Sequence, residues 1–431
     1  MTFKKYNMLT YIRHNAIIVI SILFLLSGCS APEKQVEYGK ATQELIDILN
    51  THPEVKVMLE SSIVKAAEVN PDLNTNPVRS LEEYYEFVSW AEQAMPWTLI
   101  DKEDHADVFE DIYQGIAYFY FLIDQPLQEL EGKGFHNNSL QYAEPYASWL
   151  TTFSKSWGSY LDSEDSWNEQ YYKMASEDPG FGLQNGWYED GSNWKTFNQF
   201  FSRHLKSPEV RPIAEPDQDN IVVSFADSEP QGVWAIDSSS NLVAEDGVPV
   251  KSATLRSVSA LIGEGSEYKD AFANGTFTHS FLNVNDYHRY HFPVGGVVKE
   301  VRIIQGSQPI GGKLWWDKDN NRYAYDPSAK TGWQVLETRG CVIVDTDEYG
   351  LVALLPIGMV VVSSVNFDDN IQPGAQVKKG DPLGHFAFGG SDFVVLFQRG
   401  ISFSLDAPKR EDGKGYEHML MGEMLGALTK E

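Results

Sequence analysis

Four residues carry the chemistry in this sequence: Asp227, His288, His291 and Ser391. Ser391 follows a glycine pair and opens an apolar run, Gly389-Gly390-Ser391-Asp392-Phe393-Val394-Val395-Leu396-Phe397. A serine hydroxyl attacks a neighbouring carbonyl when a histidine takes its proton and a buried carboxylate holds that histidine in one tautomer. Gly390 leaves the backbone free to adopt the strained turn that an attack on its own carbonyl requires. His288 and His291 lie in Asp286-Tyr287-His288-Arg289-Tyr290-His291-Phe292-Pro293. They share a face if the segment is helical, and Pro293 ends any such turn. A lone histidine is an ordinary structural residue, whereas a pair flanked by Asp286 and Arg289 points to function. Asp227 closes the strand-like Val222-Val223-Ser224-Phe225; alone it is a common strand-to-turn acid, and the histidines give it interest.

The reaction open to this set is self-cleavage between Gly390 and Ser391. An N→O shift gives an ester, and β-elimination frees the upstream chain and leaves dehydroalanine. Hydrolysis then gives a pyruvoyl group and ammonia. A ketone so placed forms a Schiff base with a substrate amine and takes up the electron pair when CO2 leaves, as pyridoxal phosphate does elsewhere. The expected cofactor is therefore a pyruvoyl group made from Ser391, with no metal and no pyridoxal phosphate. The expected substrate is an amine-bearing carboxylate, either a phospholipid or an amino acid.

Composition narrows the setting. The chain has 431 residues and a formal charge of −27. Lys4, Lys5 and Arg13 are its only charges before Cys29, so removing those three cations leaves −30 for the remainder. Such a surface repels nucleic acid, and nucleic-acid binding is excluded. With only Cys29 and Cys341 there is no disulfide framework. Residues 1–15 are basic, Ala16 to Leu26 are apolar, and Leu26-Ser27-Gly28-Cys29 follows. This reads as a secretory signal (residues 1–28) ending in a motif similar to a bacterial lipobox, with lipid on the Cys29 sulfur. The expectation is an exported lipoprotein of the bacterial cell envelope, tethered to a membrane by residues 29–39; an oligomer is left open.

Two halves must position the four residues, in an α+β fold. Residues 40–190 read as a helical N-terminal domain. Residues 41–69 have helical periodicity, Ser80-Leu81-Glu82-Glu83 forms a capping box, and Phe109, Ile112, Tyr113 and Ile116 repeat along one face. Trp149, Phe153 and Trp157 mark a further helix. Glu177 to Ser192 reads as a connector. Residues 191–431 read as a β-rich sandwich or flattened barrel. Its runs are Val222–Phe225, Val297–Ile304, Val335–Val344, Leu351–Val365 and Val394–Phe397, with turns at Glu348-Tyr349-Gly350 and within Pro373–Asp381. Phe197–Arg203 reads as an amphipathic helix docked on the sheet domain, followed by a fixed turn at Arg211-Pro212-Ile213. Cys341 reads as a buried small hydrophobe.

Taken in order, Phe197–Arg203 with Arg211-Pro212-Ile213, Ala226-Asp227, Gly275-Thr276-Phe277 leading to Asp286–Pro293, and Gly390-Ser391 resemble the phosphatidylserine decarboxylase family. The similarity spans about Trp194 to Phe397, and Asp-Tyr-His-Arg-x-His-x-Pro is its most specific string. The resemblance implies that Asp227 orients the base, His291 is the base for self-cleavage, Ser391 is nucleophile and pyruvoyl precursor, and His288 assists decarboxylation or reprotonation. Three positions depart from the family pattern. Phe225-Ala226-Asp227-Ser228 replaces Pro-Ala-Asp-Gly, Gly389-Gly390-Ser391-Asp392 replaces Leu-Gly-Ser-Thr, and Gly295 stands where the family has an acid. The helical half resembles an N-terminal domain in a divergent branch that includes decarboxylases of aromatic amino acids.

Three other readings compete with phosphatidylserine as substrate. One is the same chemistry on a free aromatic amino acid. Another is a non-catalytic lipoprotein binding module. A third is a zinc endopeptidase of the lysostaphin type, suggested by the Val377–Gly384 hairpin. That class needs a His-x-His pair after the serine, and Asp392-Phe393-Val394-Val395 stands there.

Overall fold

The computed structural model describes residues 37–99, 107–132, 137–243, 257–327, 332–361 and 364–431. Cys29 and the whole leader lie outside the described residues. The described helices are α1 (Lys40–Thr51), α2 (Pro53–Val69), α3 (Leu81–Ala91), α4 (Val108–Phe121), α5 (Tyr146–Leu161), α6 (Glu169–Glu177), α7 (Phe197–Phe201) and α8 (Val258–Ile262). The periodic run over 41–69 is two helices rather than one. Pro53 has no N–H to donate and takes the first position of a new helix, so the chain breaks at His52. Ser80 caps α3, its hydroxyl accepting from Glu83 N at 3.2 Å. The return arm of the expected box is displaced by one residue: Glu83 accepts from Arg79 N, at 2.7 Å. Between α6 and α7 the predicted connector is a series of single 3-10 turns.

Fifteen strands are described. They are β1 (Ile221–Val223), β2 (Glu229–Ala235), β3 (Thr276–Leu282), β4 (Arg289–His291), β5 (Gly296–Ile304), β6 (Lys313–Asp317), β7 (Arg322–Asp326), β8 (Thr338–Asp345), β9 (Leu351–Met359), β10 (Val365–Phe367), β11 (Gln376–Val377), β12 (Pro382–Phe386), β13 (Gly390–Phe397), β14 (Ile401–Leu405) and β15 (Met424–Lys430). Seven of them form the main antiparallel sheet, in the order β11-β5-β8-β9-β13-β3-β2. Smaller sheets have the orders β1-β15-β14 and β10-β12-β4, and β6-β7 is a hairpin.

The alternation of side chains along β13 decides which layer covers each face. Phe393, Val395 and Phe397 pack with Val222, Tyr290, Leu383 and Phe403 from the two three-stranded sheets. Val394 and Leu396 belong to a second core with Trp149, Phe153 and Phe119 from the helices. All eight β13 residues are buried. A strand sealed on both faces reads as a continuous apolar run, which is why Val394–Phe397 was legible without alternation. The main sheet thus lies between a helical layer and a layer of small sheets, an α+β architecture with its sandwich in the C-terminal half.

Two strand expectations shift. Val335 and Leu336 belong to a 3-10 turn (Trp333–Leu336), and the strand starts at Thr338. The run Leu351–Val365 stops at Met359, because Val360 and Val361 take φ values of 46° and 49°. β-Branched residues rarely adopt that left-handed conformation, and propensity alone assigns them to a strand. The turn at 346–350 closes the β8–β9 hairpin as predicted, with Thr346 N donating to Gly350 O at 3.0 Å.

Candidate active site

Ser391 is the second residue of β13, paired with Leu282 on β3 and Gly358 on β9. It is fully buried, and its Oγ has no hydrogen-bond partner. Buried polar atoms are nearly always paired, so an orphaned serine hydroxyl stands out as a group with its lone pairs uncommitted. Upstream, Gly390 N donates to Val360 O at 3.0 Å. A Cβ on Gly390 would come within 2.9 Å of the Val360 Cβ, and Gly389 has a φ of 148°. Both glycines are needed for the chain to enter β13 against the left-handed Val360-Val361 pair. Backbone strain of this kind costs on the order of 1–3 kcal/mol per residue, and here it flanks the bond expected to break.

The two histidines do not share a helical face. Arg289–His291 is a strand, paired with β12 through Arg289↔His385 and His291↔Pro382. His288 lies just before that strand, and the two rings make separate contacts. His288 stacks on Phe201 of α7, ring centroids 3.7 Å apart, and Phe201 packs edge-on against Phe388 at 5.3 Å. Asn198 of the same short helix accepts from Phe388 N at 2.9 Å. The Phe197–Arg203 segment therefore docks directly on the approach to Ser391. His291 turns toward Gly380 O, 2.9 Å from its Nδ1, and the Tyr287 hydroxyl, 3.1 Å from its Nε2.

These contacts set the tautomers. A carbonyl only accepts, so Nδ1–H donates in both rings: to Asp286 O from His288 (3.0 Å) and to Gly380 O from His291. The His291 Nε2 then accepts from Tyr287, and the His288 Nε2 is a bare, buried lone pair with no partner. Burial, followed by the nearby Arg203 charge, holds His288 well below the usual imidazole range. Burial also lowers His291, against the opposing pull of the Gly380 carbonyl and the Asp227 charge. Both are thus kept as neutral bases. Gly380 earns its place by geometry: it sits at a φ of 85°, and a Cβ there would meet Ile213 at 2.4 Å.

Asp227 is buried, but its carboxylate is not bonded to His291. Arg211 grips it with a fork, Nε to Oδ1 at 3.1 Å and Nη2 to Oδ2 at 2.6 Å, and Met421 N donates to Oδ1 at 2.8 Å. Its influence on His291 is through charge. The backbone still brings the segments together. His291 N donates to Phe225 O at 2.7 Å, Phe225 stacks on Phe393 at 4.2 Å, and Tyr290 packs on Phe393 at 5.5 Å. Phe393 shares a face of β13 with Ser391, so the segments that carry Asp227 and His291 pack on the strand two residues from the serine.

Other charged residues around the site escaped sequence reasoning. Arg203 is fully buried, lies 4.4 Å from the Tyr188 ring centre, and donates from Nη2 to Asn285 O at 2.8 Å. His418 Nε2 donates to Asp286 Oδ1 at 2.8 Å. On the helical face of the sheet, His279 Nδ1 lies 2.9 Å from Asp392 Oδ1, and Gln334 donates to Asp392 Oδ2 at 3.1 Å. Glu337 is fully buried with neither carboxylate oxygen partnered, and burial pushes its carboxyl well up against the pull of Arg339. Asp392 replacing the family's threonine was the one available signal for this cluster. Cys341 is buried on β8, and burial raises its thiol to about 12. Among the described residues, no group of three or more His, Cys, Asp or Glu side chains is placed to hold a metal.

At the β2–β3 edge of the sheet a cleft of about 670 Å³ opens over Phe281 and Asn283, rimmed by Glu229, Lys409, Arg410 and Lys414. Arg410 pairs with Glu229. The charges around the cleft are mixed: Lys409, Arg410 and Lys414 face Glu229 and Asp326, and Glu411 and Asp412 lie in the same loop.

A buried serine with an orphaned hydroxyl, approached through glycines, and two neutral histidines on a segment whose Tyr290 packs on the same strand fit a self-processing enzyme. The family model described as phosphatidylserine decarboxylase matches residues 197–427. Among curated proteins, phosphatidylserine decarboxylase proenzyme 2 of Oryza sativa subsp. japonica is 34% identical over 243 residues, covering 55% of this chain and 35% of that protein. Proenzyme 3 of Schizosaccharomyces pombe is 31% identical over 237 residues, 54% of this chain and 22% of that protein. The phosphatidylserine decarboxylase proenzyme of Chlamydia felis is 30% identical over 303 residues, 68% of this chain and 92% of that protein. The chain thus spans about a third and a fifth of the rice and fission-yeast relatives, and nearly all of the chlamydial one. This chain belongs to the phosphatidylserine decarboxylase family.

Proposed function

We propose that the chain is a self-processing, pyruvoyl-dependent carboxy-lyase that converts phosphatidylserine to phosphatidylethanolamine and CO2. The observation that carries this reading is Ser391: fully buried, unpartnered at Oγ, and entered through a glycine at a φ of 148° beside the left-handed Val360-Val361 pair. The orphaned hydroxyl and the neutral imidazoles fit a pyruvoyl group made in place.

In self-cleavage Ser391 Oγ gives up its proton and attacks the Gly390 carbonyl carbon. The C–N bond breaks as the ester forms, and the freed Ser391 nitrogen takes a proton. Removal of the Ser391 Cα proton then breaks the Cβ–O bond and releases the Gly390 carboxylate. His291 is assigned as the base. Tyr287 and Gly380 hold its ring, and Asp227 stabilises the imidazolium by charge at a distance. The mature pyruvoyl group supplies the electron sink for loss of CO2. His288, neutral with an open Nε2, is assigned to hold and return the proton that replaces the lost carboxylate. Phe201, backed by Phe388, covers its ring and excludes water from that face.

The Leu26–Cys29 motif supports export and a lipid tether, which would hold the enzyme at its bilayer; no helix among the described residues is long and apolar enough to cross a membrane. The test is CO2 release by the purified protein from phosphatidylserine in mixed micelles, beside free tryptophan and tyrosine. Release from phosphatidylserine alone, abolished in Ser391→Ala, is expected. Release from the free amino acids alone would reject the lipid substrate, and no release from any of them would reject the enzyme.

A further inference from the structure

His288 is useful only if its ring is held, and the loop that holds it is tied down from the far end of the chain. The ring's Nδ1–H donates to the backbone carbonyl of Asp286. The Asp286 side chain is itself a hub: Oδ2 accepts from Asn283 N at 2.8 Å, and Oδ1 accepts from His418 Nε2 at 2.8 Å. His418 belongs to a segment clamped to the site, because Met419 and Ser228 exchange backbone hydrogen bonds of 2.9 Å in both directions and Met421 N reaches Asp227. Other ties on the loop do not titrate: Arg203 to Asn285 O, and Asn285 Nδ2 to Gly180 O.

We infer that His418 is a positioning residue for His288, acting through Asp286 to fix the orientation and tautomer of the His288 ring. This rests on the assignment of His288 to proton transfer given above. Asp286 is 8% exposed and His418 40% exposed, so one end of the relay is buried beside the site and the other meets solvent. The groups facing His418 are Asp286, Asp227 and Glu229, all acids, with Arg410 beyond Glu229. Burial works against its imidazolium, but these acids outweigh it and hold His418 above the usual imidazole range. A neutral His418 still donates one hydrogen bond. It no longer offsets the charge of Asp286, which then remains a buried carboxylate close to Asp227. The sign follows: the tether is strongest with His418 protonated and slackens as pH rises through its pKa.

Ring-nitrogen NMR of the purified, self-cleaved protein tests this without depending on turnover. In the wild type, the His288 resonances should report a single Nδ1–H tautomer at low pH. They should then shift or broaden with the titration of His418, although His288 itself stays neutral. In His418→Gln, whose amide donates to Asp286 without titrating, that transition should vanish. His288 signals that stay unchanged through the His418 titration of the wild type would overturn the inference, even if the variant fails to fold. The same transition persisting in His418→Gln would overturn it equally. In decarboxylation, His418→Leu should lower kcat by about tenfold or more with KM little changed, as expected for a misplaced catalytic group. A wild type that shows the NMR coupling but releases no CO2 would refute the enzymatic reading and leave the tether standing.

Discussion

Arg211 and Asp227 form a forked ion pair inside the protein, with side chains 1% and 4% exposed. The acid that a catalytic reading assigns to a histidine is thus already committed to a guanidinium, and Arg211 is in turn stacked 4.3 Å from the ring centre of Trp187. Removing one partner from a buried pair strands the other charge. Arg211→Met is expected to destabilise the fold by about 3–5 kcal/mol, measured by chemical denaturation. The double variant Arg211→Met, Asp227→Leu should recover most of that loss, because no charge is left stranded.

Asp392 and Ser391 are neighbours on opposite faces of β13. Asp392→Leu would leave the His279 Nδ1–H and the Gln334 amide buried without an acceptor, at a cost of about 1–3 kcal/mol per stranded group. Asp392→Thr, which restores the family's residue and keeps one acceptor, should cost less. Self-cleavage should survive in both, since Ser391 faces the other layer. Gel electrophoresis of the purified variants checks the cleavage, and thermal melts check the order of stability.

Stability should carry a histidine signature in acid. His385 on β12 is pushed down to about 4, mainly by burial and then by the Arg289 charge. Between the folded value and the unfolded value of about 6.5, only the unfolded chain binds the proton, so this residue costs stability as pH falls. At pH 5 the loss is about 2 kcal/mol relative to pH 7. His385→Gln should remove that part of the acid sensitivity, seen as a smaller drop in unfolding free energy between pH 7 and pH 5. Equal drops in both proteins would contradict it.

Local physics made much of the fold readable. Ser80 caps its helix, Trp149, Phe153 and Trp157 line one buried helical face, and Val394–Phe397 is the central strand. Each is a property of residues close together in sequence. The helix break at Pro53 follows from a rule just as local. Val360 and Val361 could not be read this way, because tertiary packing against Gly390 overrides their strand propensity. At the site, the serine, its glycines and the histidine string stood out by type and spacing. Their partners did not: Arg211 lies 16 residues from Asp227, and His279 lies 113 from Asp392. Those pairings exist only once the sheet has formed.

The central claim is that the chain cuts itself at Ser391, and intact-mass spectrometry of the purified protein tests it most directly. Two chains parting after Gly390 are expected, the shorter one lighter by one ammonia than a serine start requires, with Ser391→Ala remaining whole. A single unbroken wild-type chain after prolonged incubation would contradict the account.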